Sequence, residues 1–243
     1  MKIIHLETVD STNTYAQIHF KDFPHDQITC IYAEFQTAGR GRFKRAWLSP
    51  KSENIYATFA FLLPAKIMHL TSLAQVMTVS LANVLIKEGL HPKIKWPNDV
   101  QLNGKKLSGV LCETRFDREH VEIFLGIGVN VNMTAEELAQ INQQATSLRE
   151  EMGKSWNRDL LLEKLQKQFS SDLEKFKREG FSPFHSQLEN LLTYRGKTIR
   201  CFDGKKEWIG ICHSITNDGQ LNLYLPDGKM HVVFSGELLS SDQ

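Results

Sequence analysis

The sequence predicts an α+β protein: a mixed-sheet main domain over residues 1–190, then a small all-β, barrel-like domain over residues 191–243. Three observations predict this. Apolar strand-like runs alternate with helical periodicity through the first three quarters of the chain. From about residue 191 the pattern becomes short strands separated by Gly204, Asn217-Asp218-Gly219 and Asp227-Gly228, a hairpin signal. The length of 243 residues suits one large domain, or a large and a small one, each with a core to bury.

In chain order, "KIIHLETV" reads as a strand, and Asp10-Ser11-Thr12-Asn13 then offers capping oxygens for a helix through Tyr15 and Ile18. "ITCIYAEF" is a buried strand ending at Gln36, and "IYATFAFLL" is another β-rich apolar run. Residues 71–88 have helical periodicity, with Leu73, Val76, Met77, Ser80, Leu81 and Val84 on one face and Gly89 as the stop. "KIKWP", "KLSGVLCETRF" and "HVEIFLGIGVNV" follow as strands. A second helix fits residues 157–179, capped by Asn157, with Leu161, Leu165, Phe169, Leu173 and Phe176 inward. The strands of the small domain are "KTIRCF", "KEWIGICHSI", "QLNLYL" and "KMHVVF".

Composition narrows the function classes. Hydrophobic content of 41% and charged content of 23% are ordinary for a globular chain. A net charge of +1 argues against a general polyanion binder. No apolar run reaches a bilayer span, and "MKIIHLETVD" lacks an apolar signal core, so a cytoplasmic chain is expected. Cys30, Cys112, Cys201 and Cys212 show no CxxC or zinc-ligand spacing and read as reduced packing thiols, with no metal site.

Four segments could carry chemistry. "QTAGRGRFKRAW" places Arg40, Arg42, Lys44 and Arg45 within six positions, beside Gly39 and Gly41. Guanidinium forks match phosphate oxygens, and the glycines let backbone approach a ligand. A solvated basic loop is the bland alternative, and Trp47 reads as an anchor for its end. "KWPNDV" places Asn98 and Asp99 after a proline, where site residues and ordinary turns both occur. "KKLSGVLCE" sets Lys106 three residues before Gly109, aimed at a cleft or lying on a strand surface. "GIGVNVN" carries two glycines in an apolar run, implying close approach by a ligand or another backbone. Neither a Walker A loop nor a dinucleotide fingerprint nor a nucleophile elbow is present.

Each segment is weak alone, but their order and spacing are not. Ser11-Thr12-Asn13, Gln36 through Trp47, Tyr56, Lys95 through Asp99, Lys106 with Gly109, and Gly126 through Asn130 together resemble the biotin protein ligases. The tail "VFSGELLS" resembles the closing strand of that family's small C-terminal domain. The resemblance implies a catalytic domain of the biotin/lipoate ligase type followed by an SH3-like barrel. It implies that biotin and MgATP form biotinyl-5′-AMP, and that the biotinyl group passes to one lysine of the biotin carboxyl carrier protein of acetyl-CoA carboxylase.

By the same resemblance, Ser11, Thr12 and Gln36 would bind the ureido ring of biotin, and Tyr56, Gly109 and Gly126 would line its pocket. Gly39, Arg40 and Arg42 would meet the biotin tail and adenylate phosphate, with Lys106 stabilising charge as the carboxylate attacks. Asn13, Arg45, Trp47, Lys95, Asn98 and Asn130 would serve the nucleotide, and Asp99 the incoming amine and metal-bridged phosphates. The basic loop would order when ligand neutralises its charge.

Phe43 and Lys44 stand where some members have Arg-Gly, which should stiffen the loop. The closing Leu238-Leu239-Ser240-Ser241 lacks the basic residue some members place near the nucleotide. With the first substrate-contacting stretch within thirteen residues of the start, a monofunctional ligase is expected, with neither specific DNA nor membrane as partner. Monomer and homodimer both stay open. The rival readings are a lipoate-type ligase, distinguished by the acid it activates, and a nucleic-acid-binding module.

Overall fold

The computed structural model describes residues 1–67 and 69–240, with twelve strands, β1 to β12, and six α-helices, α1 to α6, among them. The chain divides into two compact units: residues 1–68 with 105–166, and residues 69–104 with 167–243.

The first unit is built on a mixed sheet. Strands β1 (Lys2–Val9) and β2 (Thr29–Gln36) are parallel, and β3 (Ile55–Pro64) runs antiparallel to β2. Next come β7 (His120–Val129) against β3, and β6 (Lys105–Phe116) against β7, both antiparallel. The parallel pair needs a crossover, supplied by α1 (Thr12–His19) and a following 3₁₀ turn. Ala16 of α1, with Phe20 and Phe23 of the turn that follows, packs with Ile31, Ala60 and Phe124 of the sheet. The Phe20 and Phe124 rings meet edge to face at 5.3 Å, and burying each side chain stabilises the unit by roughly 2 kcal/mol.

The expected cap of this helix differs in detail. No side chain caps its N-terminus at Ser11. Asp10 Oδ1 instead accepts from the Ser11 N–H at 2.6 Å, while Thr12 and Asn13 turn their polar groups toward the sheet. Beyond β7 the chain forms α3 (Ala135–Leu138), whose Thr134 and Glu137 make a reciprocal capping box, and α4 (Leu148–Met152). Helix α5 (Arg158–Glu179) starts as the sequence predicts, with Asn157 Oδ1 accepting from the Leu160 N–H at 2.9 Å.

The second unit contains the α2 helix (Leu73–Lys87), the β4–β5 hairpin (Lys93–Lys95 and Asp99–Leu102), the rest of α5, and α6 (Ser182–Leu191). It also contains a five-stranded antiparallel sheet: β8 (Thr198–Phe202), β9 (Glu207–Ile215), β10 (Leu221–Tyr224), β11 (Met230–Val233) and β12 (Glu237–Ser240). Its order is β11-β10-β9-β8-β12, so the closing strand read in "VFSGELLS" pairs with β8. Ser241 lies outside the described residues.

Two expectations for residues 70–88 are corrected here. The stretch Leu70–Lys87 is long and apolar enough to cross a membrane, with mean hydropathy 1.3, although two thirds of it is buried inside the protein. The predicted one-sided stripe is instead burial on nearly every side, with Gln75, Thr78 and Val79 buried besides it. Buried polar groups find partners: Thr78 Oγ1 donates to the Gln75 carbonyl at 2.7 Å, and Ser80 Oγ, on the predicted face, donates to Asp172 Oδ2 on α5 at 2.7 Å.

Candidate active site

Pairing register places two rows of residues across one face of the first sheet. Tyr56, Gly128 and Gly109 lie opposite one another on β3, β7 and β6, and Thr58, Gly126 and Leu111 form the next row. Residues directly opposite in antiparallel pairs point to the same face, so the glycines leave this floor low between taller neighbours. The room is used by other side chains. A Cβ on Gly126 would stand 2.4 Å from Asn13 Oδ1, and one on Gly128 would stand 2.4 Å from the Trp47 indole. The close approach read from "GIGVNVN" is made by side chains, those of Asn13 and Trp47, rather than by another backbone.

The start of α1 brings its polar side chains to this floor. Thr12 donates from its backbone N–H to Gln36 Oε1 at 2.9 Å and from its hydroxyl at 3.2 Å. Gln36 passes the chain on, donating from Nε2 to Ser49 Oγ at 3.1 Å. The Thr58 hydroxyl lies 2.9 Å from Thr12 Oγ1 and 2.6 Å from Asn13 Oδ1. Ser11, Thr12 and Asn13 are all buried, so their remaining polar capacity is shielded from bulk water. Tyr56 is buried as well and donates to the Pro50 carbonyl at 2.9 Å. Burial pushes its phenol well above the ordinary range, so it stays neutral.

The basic segment folds as a closed loop. The Trp47 N–H donates to the Gly39 carbonyl at 2.9 Å, the Gly41 N–H to the Arg45 carbonyl at 2.8 Å, and Arg40 bridges to Ala46. At its tip Phe43 and Lys44 both take left-handed torsions, φ 56° and 58°, and Phe43 is 60% exposed. The Arg42 guanidinium lies 5.0 Å from the Phe43 ring. Arg40 reaches inward, donating to the Thr14 hydroxyl and to both carboxylate oxygens of Glu113, at 3.2 and 3.0 Å.

Lys106 is the second residue of β6, with its ammonium 5.4 Å from the Trp47 ring centre. Its backbone N–H donates to the Gln144 carbonyl and its carbonyl accepts from Thr146, at 3.0 and 2.9 Å. Asn130 supports this junction, donating from Nδ2 to the Thr146 carbonyl at 3.0 Å. Buried polar atoms without a protein partner include Trp47 Nε1, whose indole lies against Gly128 of this floor, and Ser108 Oγ, which strand alternation turns to the opposite face. A cavity of about 310 Å³ lies to one side, lined by Lys105, Leu138, Gln144, Thr146 and Glu150 among others.

Ser11, Thr12, Asn13, Gln36, Gly39, Arg40, Arg42, Arg45, Trp47, Tyr56, Lys106, Gly109, Gly126 and Asn130 thus all belong to the first unit. Lys95, Asn98 and Asp99 belong to the second. There Trp96, Pro97 and Asn98 form a turn, and Asp99 follows as the first residue of β5, paired with Lys95. Trp96, beside a cis bond to Pro97, donates from its indole to the Gly219 carbonyl at 2.9 Å, which fixes this hairpin in its unit. Glu113, Thr58, Ser49 and Gln17 are polar members that the motif reading missed. Glu113 was the only one inside a quoted motif, as the last residue of "KKLSGVLCE", and β6 runs on past it to Phe116. Among the described residues no three or more His, Cys, Asp or Glu side chains group as a metal site.

Comparison with known proteins gives one consistent answer. Residues 5–130 match the biotin/lipoate A/B protein ligase family. The chain is 33% identical over 235 residues to the bifunctional ligase/repressor BirA of Escherichia coli, covering 96% of this chain and 72% of that protein. It is 27% identical to the biotin–[acetyl-CoA-carboxylase] ligase of Mycobacterium tuberculosis, covering 86% of this chain and 77% of that one. Among solved structures, the biotin protein ligase of Aquifex aeolicus in complex with biotin and ATP superposes with a TM-score of 0.81 at 32% identity. That match covers 98% of this chain and 97% of the other.

Proposed function

The chain belongs to the biotin/lipoate A/B protein ligase family, and from that premise we propose how its residues carry the reaction. It is a biotin protein ligase, joining biotin to ATP and then transferring the biotinyl group to a lysine of a carrier protein. In the first step a biotin carboxylate oxygen bonds to the α-phosphorus, the α–β phosphoanhydride bond breaks, and pyrophosphate leaves. In the second, a lysine ε-amine bonds to the acyl carbon and AMP leaves with the electron pair of the broken mixed anhydride.

The observation that carries the residue roles is the convergence of Thr12, Gln36, Tyr56 and Arg40 on one glycine-floored face. Ser11, Thr12 and Gln36 bind the ureido group, whose donors and acceptor need partners in a buried pocket. Tyr56, Gly109 and Gly126 shape the ring site, Gly126 by admitting the Asn13 amide. Gly39, Arg40 and Arg42 hold the carboxylate tail and phosphate, and the loop excludes water from the mixed anhydride. Lys106 meets the charge that builds on the phosphate oxygens during attack. Asn13, Arg45, Trp47 and Asn130 serve the nucleotide. The roles of Lys95 and Asn98 toward the nucleotide, and of Asp99 toward the amine, rest on the resemblance.

ATP enters as its Mg²⁺ complex, the ion held chiefly by phosphate oxygens and water. The acceptor is the biotin carboxyl carrier protein of acetyl-CoA carboxylase, and the site of action is the cytoplasm. A near-neutral chain whose clustered arginines serve substrate phosphates supports no role for specific DNA binding. Residues 1–190 form the ligase domain and residues 191–243 an SH3-like barrel. The test is ATP–pyrophosphate exchange with a panel of acids. Exchange that depends on biotin is the expected result, and exchange driven by lipoate instead would return the lipoate-ligase reading.

A further inference from the structure

Glu113 has no part in the roles above, yet side chains from α1 and from the basic loop both converge on it. It sits on β6 opposite Phe124 of β7, inside the sheet rather than on a loop. Its Oε2 accepts from Asn13 Nδ2 at 2.7 Å and Gln17 Nε2 at 3.1 Å, both on α1. The same carboxylate takes the Arg40 Nη2 at 3.0 and 3.2 Å, while Arg40 Nη1 reaches the Thr14 hydroxyl. One side chain on a rigid strand therefore ties together the helix that starts the biotin site and the loop that holds phosphate.

We propose that Glu113 is a positioning residue for the reaction, fixing Arg40 against α1 so that the guanidinium is set before the adenylate forms. The physical need is clear from the loop. The backbone on either side of Arg40 is tied through Gly39, Gly41 and the bridge to Ala46, but the long guanidinium arm has rotamer freedom of its own to lose. A charge-assisted, forked interaction with a strand carboxylate gives the arm a fixed direction, and pre-set donors cost no reorganisation when charge develops. The two oxygens divide the work. Oε2 serves the helix amides and Arg40, whereas Oε1 receives only Arg40 among the contacts above.

This division selects the variant. Glu113→Gln keeps one oxygen for Asn13 and Gln17 but presents an amide N–H₂ to Arg40, donor facing donor. The inference rests on the role of Arg40 in holding the adenylate, so Arg40→Ala and the double variant are measured beside it. The readout is the half-life of biotinyl-5′-AMP on each enzyme after free biotin and ATP are removed, with thermal melts as folding controls. Arg40→Ala and Glu113→Gln are each expected to shorten the half-life about tenfold, the scale of one charged hydrogen bond. The double variant is expected to match Arg40→Ala alone, because Glu113 acts through Arg40. A wild-type half-life in Glu113→Gln, or additive losses in the double variant, overturns the inference. If Arg40→Ala itself retains the adenylate normally, the failure lies in the role given to Arg40.

Discussion

A lysine on a strand is ordinarily a solvated group, and Lys106 departs from that. Its backbone is pinned on both sides by Gln144 and Thr146, and its ammonium lies 5.4 Å from the Trp47 ring. Stabilising charge that exists only in the transition state contributes on the order of 3 kcal/mol. Lys106→Ala should therefore slow biotin-dependent pyrophosphate exchange about 100-fold at this scale while leaving the biotin dissociation constant within a few-fold. Exchange that stays near the wild-type rate would make Lys106 a surface residue. The motif reading reached Lys106, Arg40 and Gln36 because each lies in a short segment with its own chemistry. It could not reach Thr58, whose partner Asn13 is 45 residues away, or the role proposed for Glu113, which depends on Arg40 at a separation of 73 and Asn13 at 100. Contacts of that kind exist only once the strands have paired.

Strands are the elements that reading recovered best, because alternation and β-branched runs mark both faces of a sheet. The misses have local causes. Helix α6 begins "SPFH", and its proline reads as a breaker although it sits in the first turn, where a missing N–H costs nothing. Of the oxygens offered as the α1 cap, that of Asp10 takes the Ser11 N–H, and those of Thr12 and Asn13 meet Gln36 and Thr58 instead. In the basic loop, replacing Arg-Gly by Phe43-Lys44 places two side chains in left-handed torsions that glycine tolerates far better. Lys44→Gly should stabilise the protein by up to about 1 kcal/mol, the relief of that torsion less the greater entropy of the unfolded chain. A lower urea midpoint for Lys44→Gly would contradict this account of the loop tip.

A second element-scale device holds α5 to β2. Glu34 Oε2 takes Arg158 Nη2 at 2.8 Å and the Ser52 hydroxyl at 3.0 Å, and Oε1 lies 2.9 Å from His5 Nε2. Burial alone would raise this carboxyl, but the hydrogen bonds from Arg158, Ser52 and His5 outweigh it and hold the group below its ordinary value. A depressed carboxyl stabilises the fold above the unfolded-state pKa, about 4.3 for Glu, and that contribution disappears as pH falls through the folded-state value. Glu34→Gln should cost about 2 kcal/mol near pH 7. Urea unfolding should show the gap from wild type closing below about pH 4, and a gap that is constant with pH would remove Glu34 from the acid sensitivity of the fold.

At the scale of the whole molecule, the change of texture near residue 191 was legible because hairpin turns announce themselves through Gly and Asn-Gly or Asp-Gly pairs. That residues 69–104 belong with the C-terminal half was not legible. Membership there rests on pairings such as Trp96 with Gly219 and Gln75 with Gly219, separated by more than a hundred residues. The same long-range pairing explains why residues 70–87 pass as a bilayer-length apolar run when read alone. In the folded chain they are a core helix.

The central claim is that this chain activates biotin and delivers it to one lysine of a carrier domain. Incubating the protein with biotin, MgATP and a biotin carboxyl carrier domain, followed by intact mass of the carrier, tests it most directly. The predicted result is a carrier heavier by a single biotinyl group, dependent on ATP and abolished when the acceptor lysine is replaced. A carrier of unchanged mass with biotin, or one modified only when lipoate is supplied, would contradict it.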